Sequence, residues 1–346
     1  MKPNVPLAPM TTLELGGPAE WFLDATSTEE LIAGLRWAAE QGHDVSILGG
    51  GSNLVVPDEG VRGLVIRLSS RGIEVDGARV RVEAGEDWDA FVARSIDEGW
   101  AGLECLSGIP GYVGASPVQN VGAYGQDVSE TIVEVGVLDP RTLQRHALRN
   151  DECAFAYRDS RFKRNPSEWI VVDVTFELRA GGAPTIRYAE LQQCIGPNAS
   201  LAQTRDTVIA LRRRKSMVID ADDPNRRCAG SFFTNPFVTP EQASKLVADS
   251  IAEGLVQDES QVPRWIEGER VKLAAGWLIE RAGFEKGMRR GHVGLSTAHA
   301  LALVHHGGGT TTELLAFADA IRAGVRERFG VDLEREPRLL EPIRTA

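Results

Sequence analysis

Apolar positions recur at helical spacing in several stretches and in short runs between them. Ser27-x-x-Glu30 reads as a capping box opening a helix with the stripe Leu31, Ile32, Leu35, Ala38 and Ala39, and Gly42 is its stop. The runs Val45–Leu48, Leu54–Val56 and Leu64–Leu68 read as strands, so residues 19–70 predict a compact α/β unit. A second unit over 72–180 is built from a strand at Val80–Val82, an amphipathic helix at Trp88–Glu98, and strands near Ile132–Leu138 and Trp169–Leu178. Ala180-Gly-Gly-Ala-Pro184 breaks the pattern. Residues 185–216 then read as a peripheral excursion ending in a helix over Asp206–Arg214. Beyond 217, helices are predicted at Lys272–Ala282 and Thr312–Phe329, with a short buried strand at Ala300–Val304 between them.

Composition narrows the class. At 346 residues the chain has room for two or three domains, and 42% apolar with 25% charged residues is ordinary for a globular protein. The formal charge of −11 makes nonspecific nucleic-acid binding a poor reading. Six of the 38 basic residues are Lys and the other 32 are Arg, so a lone Arg carries little weight and a lone Lys more. Cys105, Cys153, Cys194 and Cys228 are scattered, without a C-x-x-C pair, which argues against a zinc site or a disulfide framework. No signal peptide and no run of 18 apolar residues is present, so a cytoplasmic protein is expected.

Several segments carry candidate chemistry beside a plainer reading. Gly49-Gly-Gly-Ser-Asn53 follows a strand; it is either a tight turn or a backbone cradle for phosphate. Gly108 to Gly125 has five glycines, apolar residues and the amides Gln119 and Asn120, which suits a buried loop wrapped on a flat or phosphorylated ligand. Tyr157-Arg-Asp-Ser-Arg-Phe-Lys163 is a solvated turn or an Arg site for a carboxylate or phosphate. Arg212-Arg-Arg-Lys215 is a basic helix end or a diphosphate site. Ser231 sits between Gly230 and a Phe pair and suits a proton donor; the near-miss Gly294-Leu-Ser-Thr-Ala298 gives no support for a hydrolase triad. His305-His-Gly-Gly-Gly309 reads as a turn, His292 and His299 lack zinc-type spacing, and no metal is expected. Gly330-Val-Asp-Leu333 is strand-like and leads into the charged Glu334–Arg338, which Leu339 and Leu340 tie down.

Taken in order, LGGGSNLVV (48–56), SGIPGYVGASPVQNVGAYG (107–125), YRDSRFK (157–163), AGSFFTNP (229–236), KLAAGWLIERAG (272–283) and LEREPRLL (333–340) resemble the UDP-N-acetylenolpyruvoylglucosamine reductase family over nearly the whole chain. The SFF form and the 185–216 excursion resemble its longer-loop subtype. The resemblance implies an α+β protein with a vanillyl-alcohol-oxidase-type FAD-binding fold of two α/β subdomains and a C-terminal α/β substrate-binding domain. The matching bounds are 1–71 with 335–346 and 72–216 for the FAD-binding subdomains, and 217–334 for the substrate domain. It further implies noncovalent FAD, NADPH as reductant, and reduction of the enolpyruvyl ether of UDP-N-acetylglucosamine to UDP-N-acetylmuramate in peptidoglycan precursor synthesis. Its partners would be these small molecules; charge and hydropathy lead to the expectation of no nucleic acid and no membrane, and a monomer is expected.

By the same resemblance, Arg158 and Glu336 stabilise charge developing toward the substrate carboxylate, and Ser231 gives the proton. Gly49, Gly50, Gly51, Ser52, Asn53, Ser116, Gln119, Asn120, Gly122 and Arg338 match FAD positions. Tyr188, Arg212, Lys215, Asn235 and Lys272 match positions near the UDP-sugar, and Trp265 one near the nucleotide. Pro337 departs from the family pattern, where a β-branched residue is commoner, and lacks a backbone donor beside Glu336. Two alternatives stay open: an FAD-dependent oxidase of the same fold, and a noncatalytic UDP-sugar-binding protein.

Overall fold

The computed structural model describes residues 1–343. The N-terminal region is a four-stranded sheet in the order Lys2–Pro6, Pro18–Ala25, Val61–Leu68 and Val45–Leu48. The last three strands run parallel, and the first pairs antiparallel at the edge. Helix Thr28–Gln41 begins where expected: the Ser27 hydroxyl accepts from Glu30 N, and Glu30 accepts from Thr26 N at 2.8 Å. It ends at Gly42 in the left-handed conformation, φ +67°. The buried face is Leu31, Gly34, Leu35 and Ala38.

The second region is an antiparallel sheet in the order Arg145–Arg149, Ile132–Leu138, Ile170–Glu177, Arg79–Glu83 and Ile73–Asp76. Helix Trp88–Asp97 packs on it through Trp88, Phe91 and Val92, with the Phe91 and Phe176 rings 5.1 Å apart. All three residues are buried, each contributing about 1.5–3 kcal/mol of transfer free energy.

The third region holds two three-stranded sheets and the helices Pro240–Ala252, Ala275–Arg281 and Thr311–Phe329. Its core includes Phe232, Phe233, Leu278, Ile279 and Phe317, and also Leu13, Leu15 and Val55 from the N-terminal region. Asp58 caps the Thr311–Phe329 helix, accepting from Thr311 N at 2.7 Å and Thr312 N at 2.8 Å. The chain then returns. Arg338–Leu339 pairs parallel with Leu54–Val55, and Ile343 N donates to Val45 O at 2.7 Å. The last three residues of the 335–346 range lie outside the described residues.

Four expectations shift. The strand expected at Ala300–Val304 is Leu303–His305, because Ala300 and Leu301 form the turn before it. Lys272 lies on the strand Arg270–Leu273, not at a helix start: Val271 and Leu273 alternate inward, and the helix begins at Ala275. Gly330–Leu333 is no strand; Gly330 is the left-handed end of the preceding helix, and Val331 and Leu333 plug the core. The excursion's helix is longer than expected, Leu201–Arg214, because Ser200 and Gln203 form a capping box one turn earlier. Among the described residues, no helix is long and apolar enough to cross a membrane.

Candidate active site

The two glycine-rich loops meet backbone to backbone. A Cβ at Gly50 would lie 2.7 Å from Gly111 Cα, and one at Gly111 would lie 2.7 Å from the Ser52 hydroxyl. Ser52 Oγ donates to Pro110 O at 3.0 Å across 58 positions of sequence. Val113 N donates to Glu86 O at 2.9 Å, which fixes the second loop to the antiparallel sheet region.

Between them opens a cavity of about 410 Å³, within the range of small-molecule and cofactor sites. Gly49–Asn53, Ser116, Gln119 and Gly122 line it together with Arg158, Ser231, Glu336 and Arg338. Ile109, Val118, Phe162, Trp169 and Ile170 supply apolar wall. The combination of backbone-lined glycine turns, an amide and an apolar wall suits a large ligand carrying phosphates. Asn120 departs from expectation. It is buried off the cavity, where its amide donates to Ala156 O at 3.1 Å and accepts from Ser129 N at 3.1 Å. It ties the loop to the 156–159 turn.

Charge concentrates at one end. Arg158 Nε lies 3.3 Å from Glu336 Oε1, with side chains 22% and 12% exposed. Arg158 holds a left-handed backbone, φ +52°, and its Nη2 donates to Gly122 O at 2.5 Å. Lys163 Nζ donates to Arg158 O at 2.8 Å, and Arg338 Nη1 donates to Lys163 O at 3.1 Å. Gln119 Nε2 reaches Glu336 Oε1 at 3.5 Å, while its Oε1 accepts from Asn53 Nδ2 at 2.5 Å. Burial pushes the Glu336 carboxyl above the usual carboxylate range, against the pull of Arg158 and then Lys163.

The backbone after Ser231 is held by its neighbours. Phe232 and Phe233 are buried, Phe232 N donates to Leu301 O at 2.7 Å, and Phe232 O accepts from Glu336 N at 3.0 Å. The last contact sets Glu336 beside the serine. The Ser231 hydroxyl has no hydrogen-bond partner among the described residues. Pro337 costs nothing here. The N–H groups on either side of it are the ones used, Glu336 N to Phe232 O and Arg338 N to Asn53 O at 3.2 Å.

The residues expected near the UDP-sugar divide. Arg212 lines the cavity, lies half-buried beside Gly108, and donates through Nη2 to Met217 O at 2.6 Å; its buried Nε has no partner among the described residues. Burial lowers its pKa. Lys215, Lys272, Tyr188 and Asn235 lie outside the cavity lining. Lys215 Nζ lies 5.6 Å from the Tyr124 ring centre and 2.6 Å from Glu190 Oε2, and the Tyr188 ring meets Tyr124 edge-on at 5.6 Å. Lys272 lies over Tyr157 at 4.9 Å and Trp265 at 5.7 Å, and pairs with Glu267. Asn235 Oδ1 accepts from Ala275 N at 3.0 Å, at the start of a helix. Tyr157 joins the groups, since Arg158 also lies 5.4 Å over its ring.

Two cavity neighbours escape the sequence reading. Lys163 lines the cavity and supports Arg158; the scarcity of Lys is a signal that applies to it as well. Asp127, 4.0 Å from Arg158 and pushed up by burial, gave no signal at the exit of a glycine-rich loop. Among the described residues, no cluster of three or more His, Cys, Asp or Glu is arranged to hold a metal ion.

Residues 19–146 match the FAD binding domain family model, and residues 222–340 match the model of the UDP-N-acetylenolpyruvoylglucosamine reductase C-terminal domain. The chain is 51% identical to the UDP-N-acetylenolpyruvoylglucosamine reductase of Thermobifida fusca, over 96% of each chain. It is 46% identical to that of Streptomyces coelicolor, covering 96% of this chain and 88% of the relative. The crystal structure of the Thermus caldophilus reductase superposes with a TM-score of 0.66 at 26% identity, covering 98% of each chain.

Proposed function

Since the chain belongs to the UDP-N-acetylenolpyruvoylglucosamine reductase family, we propose that it reduces the enolpyruvyl ether of UDP-N-acetylglucosamine with NADPH, through noncovalent FAD. The product is UDP-N-acetylmuramate, a peptidoglycan precursor. The carrying observation is the meeting of Arg158, Glu336 and Ser231 at one cavity, with Glu336 N bonded to the carbonyl next after Ser231.

FAD would lie against Gly49–Asn53, Ser116, Gln119, Gly122 and Arg338, with Asn120 bracing the loop from behind. The chemistry it supplies is hydride exchange with NADPH and with the terminal vinyl carbon. The chain's own residues manage charge and the proton. Hydride addition drives electron density toward the substrate carboxylate, where the Arg158 guanidinium supplies a fixed cation. Glu336 Oε1 is engaged by Arg158 Nε, which leaves Oε2 to donate a hydrogen bond when the carboxyl is neutral. Burial favours that neutral form. Ser231 gives its proton to the carbon next to the carboxylate and is reprotonated from water. Lys215 and Lys272 take the diphosphate, with Arg212, Tyr188 and Asn235 around the UDP-sugar. The four cysteines are free thiols, in keeping with a cytoplasmic setting.

The test is one anaerobic visible spectrum, with NADPH added before the enolpyruvyl UDP-sugar. A yellow protein should bleach with NADPH and recover its colour with the sugar. Bleaching without recovery removes the substrate assignment, and absence of a flavin spectrum after reconstitution with FAD removes the cofactor.

A further inference from the structure

The two lysines assigned to the diphosphate are already engaged. Lys215 holds Glu190 at 2.6 Å, and Lys272 holds Glu267. The arrangements are alike although they come from different parts of the chain. Each ammonium lies over a tyrosine ring, Tyr124 or Tyr157, and each is faced by one glutamate. Glu190 stands in the short helix Ala189–Cys194, two residues after Tyr188 in the excursion. Glu267 is the last residue of the strand Arg264–Glu267, next to Gly268 at φ +61°.

We propose that Glu190 and Glu267 are internal counter-ions that stand in for the substrate's diphosphate and are displaced by it. This rests on the reading of Lys215 and Lys272 under the proposed function. A lysine side chain loses rotamer freedom when it is fixed in one place. A carboxylate that holds the ammonium over its ring has met that cost before the ligand arrives. The same pair must be breakable. With side chains 32% and 37% exposed for Lys215–Glu190, and 17% and 42% for Lys272–Glu267, each pair is partly solvated and weak. A diphosphate brings more charge than one carboxylate, so it wins the exchange. A neutral or singly charged ligand does not. The glutamates therefore determine specificity by setting a threshold of charge for entry, at some loss of affinity.

The experiment uses the FAD-loaded protein and UDP as the probe, with the dissociation constant read by calorimetry. Glu190→Gln and Glu267→Gln keep shape and remove charge. Each is expected to tighten UDP binding about two- to fivefold, the equivalent of an exposed ion pair. Their combination should tighten it more than either alone, with departure from the product of the two measuring the coupling through the shared diphosphate. Glu190→Asp keeps the charge and should stay close to wild type, which an effect of shape alone would not produce. The KM for the UDP-sugar should fall in parallel with the dissociation constant. Unchanged or weaker UDP binding in both glutamine variants overturns the proposal while leaving the assignment of the lysines standing. Absence of UDP binding by the wild-type protein removes that assignment, and the counter-ion proposal falls with it.

Discussion

Replacing Gly50 by Ala tests whether the two glycine-rich loops must touch. The added Cβ would lie 2.7 Å from Gly111 Cα and 3.0 Å from both Gly111 C and Tyr112 N. All three are backbone atoms, so no side-chain rotation relieves the contact. Restoring an ordinary separation requires the loops to part by roughly 1 Å, an overpacking that costs about 1–3 kcal/mol. The cost falls on whichever state needs the loops together. In flavin-free protein it appears as a lower Tm. Where the free loops relax, it appears as weaker FAD binding, by about 5- to 150-fold at roughly 1.4 kcal/mol per decade. Thermal unfolding of flavin-free protein and titration of flavin fluorescence measure the two parts. Gly49→Ala serves as the stability control, since its Cβ would meet only Ala115 Cβ, at 3.9 Å. Wild-type values for Gly50→Ala in both assays would refute the backbone-to-backbone packing as the frame of the cavity.

Ser231→Ala should leave flavin bleaching by NADPH nearly intact and slow recovery by the UDP-sugar by about 10²- to 10⁴-fold in stopped flow; equal slowing of both halves would count against proton donation. The pKa of Glu336 is raised, so its neutral form persists above the usual carboxylate range and the substrate half-reaction should fall as pH rises through that pKa. Glu336→Gln should flatten that limb of the pH profile, and an unchanged limb would assign it to another group. Buried His305 is neutral, with Nδ1 toward Leu13 O and Nε2 accepting from Gly309 N, both at 3.1 Å, and burial lowers its pKa from 6.5. Its unfolded form binds the proton more readily, so stability is present above about 6.5 and lost as pH falls below it. Tm compared at about pH 7.5 and about pH 5.5 should drop less in His305→Gln than in wild type.

What the sequence discloses follows the range of the forces involved. The helix at 28–41 is readable because Ser27, Glu30 and Gly42 act within a few residues. Strand Ile132–Leu138 lies where a strand is expected, since its short β-branched run ends at the turn residues Asp139-Pro140. Lys272 reads as helical in the sequence because Val271, Ala275, Leu278 and Ile279 fit a helical stripe. Only the pairing of Phe237 with Lys272 and of Trp265 with Lys272 makes that stretch a strand. The site motifs were visible as residue types, and the resemblance ordered them. Contacts between distant segments were not visible: Gly50 against Gly111, Glu190 on Lys215, or the two N–H groups that make Pro337 harmless. Asn120 shows the limit of reading a motif residue by residue, because its amide braces the loop that carries its neighbours.

The returning segment at 336–343 has a consequence in time. Asn53 and Glu336 meet across 283 positions of sequence. A ribosome adding about 5–20 residues per second reaches Glu336 roughly 15–60 s after Asn53. The first sheet and its glycine turn leave the exit tunnel long before the residues that close their cavity exist. A nascent chain therefore has a partial cradle and Ser231 but neither Glu336 nor Arg338, so the acidic end of the cavity is missing. The complete cavity wall arrives only with the last described residues of the chain.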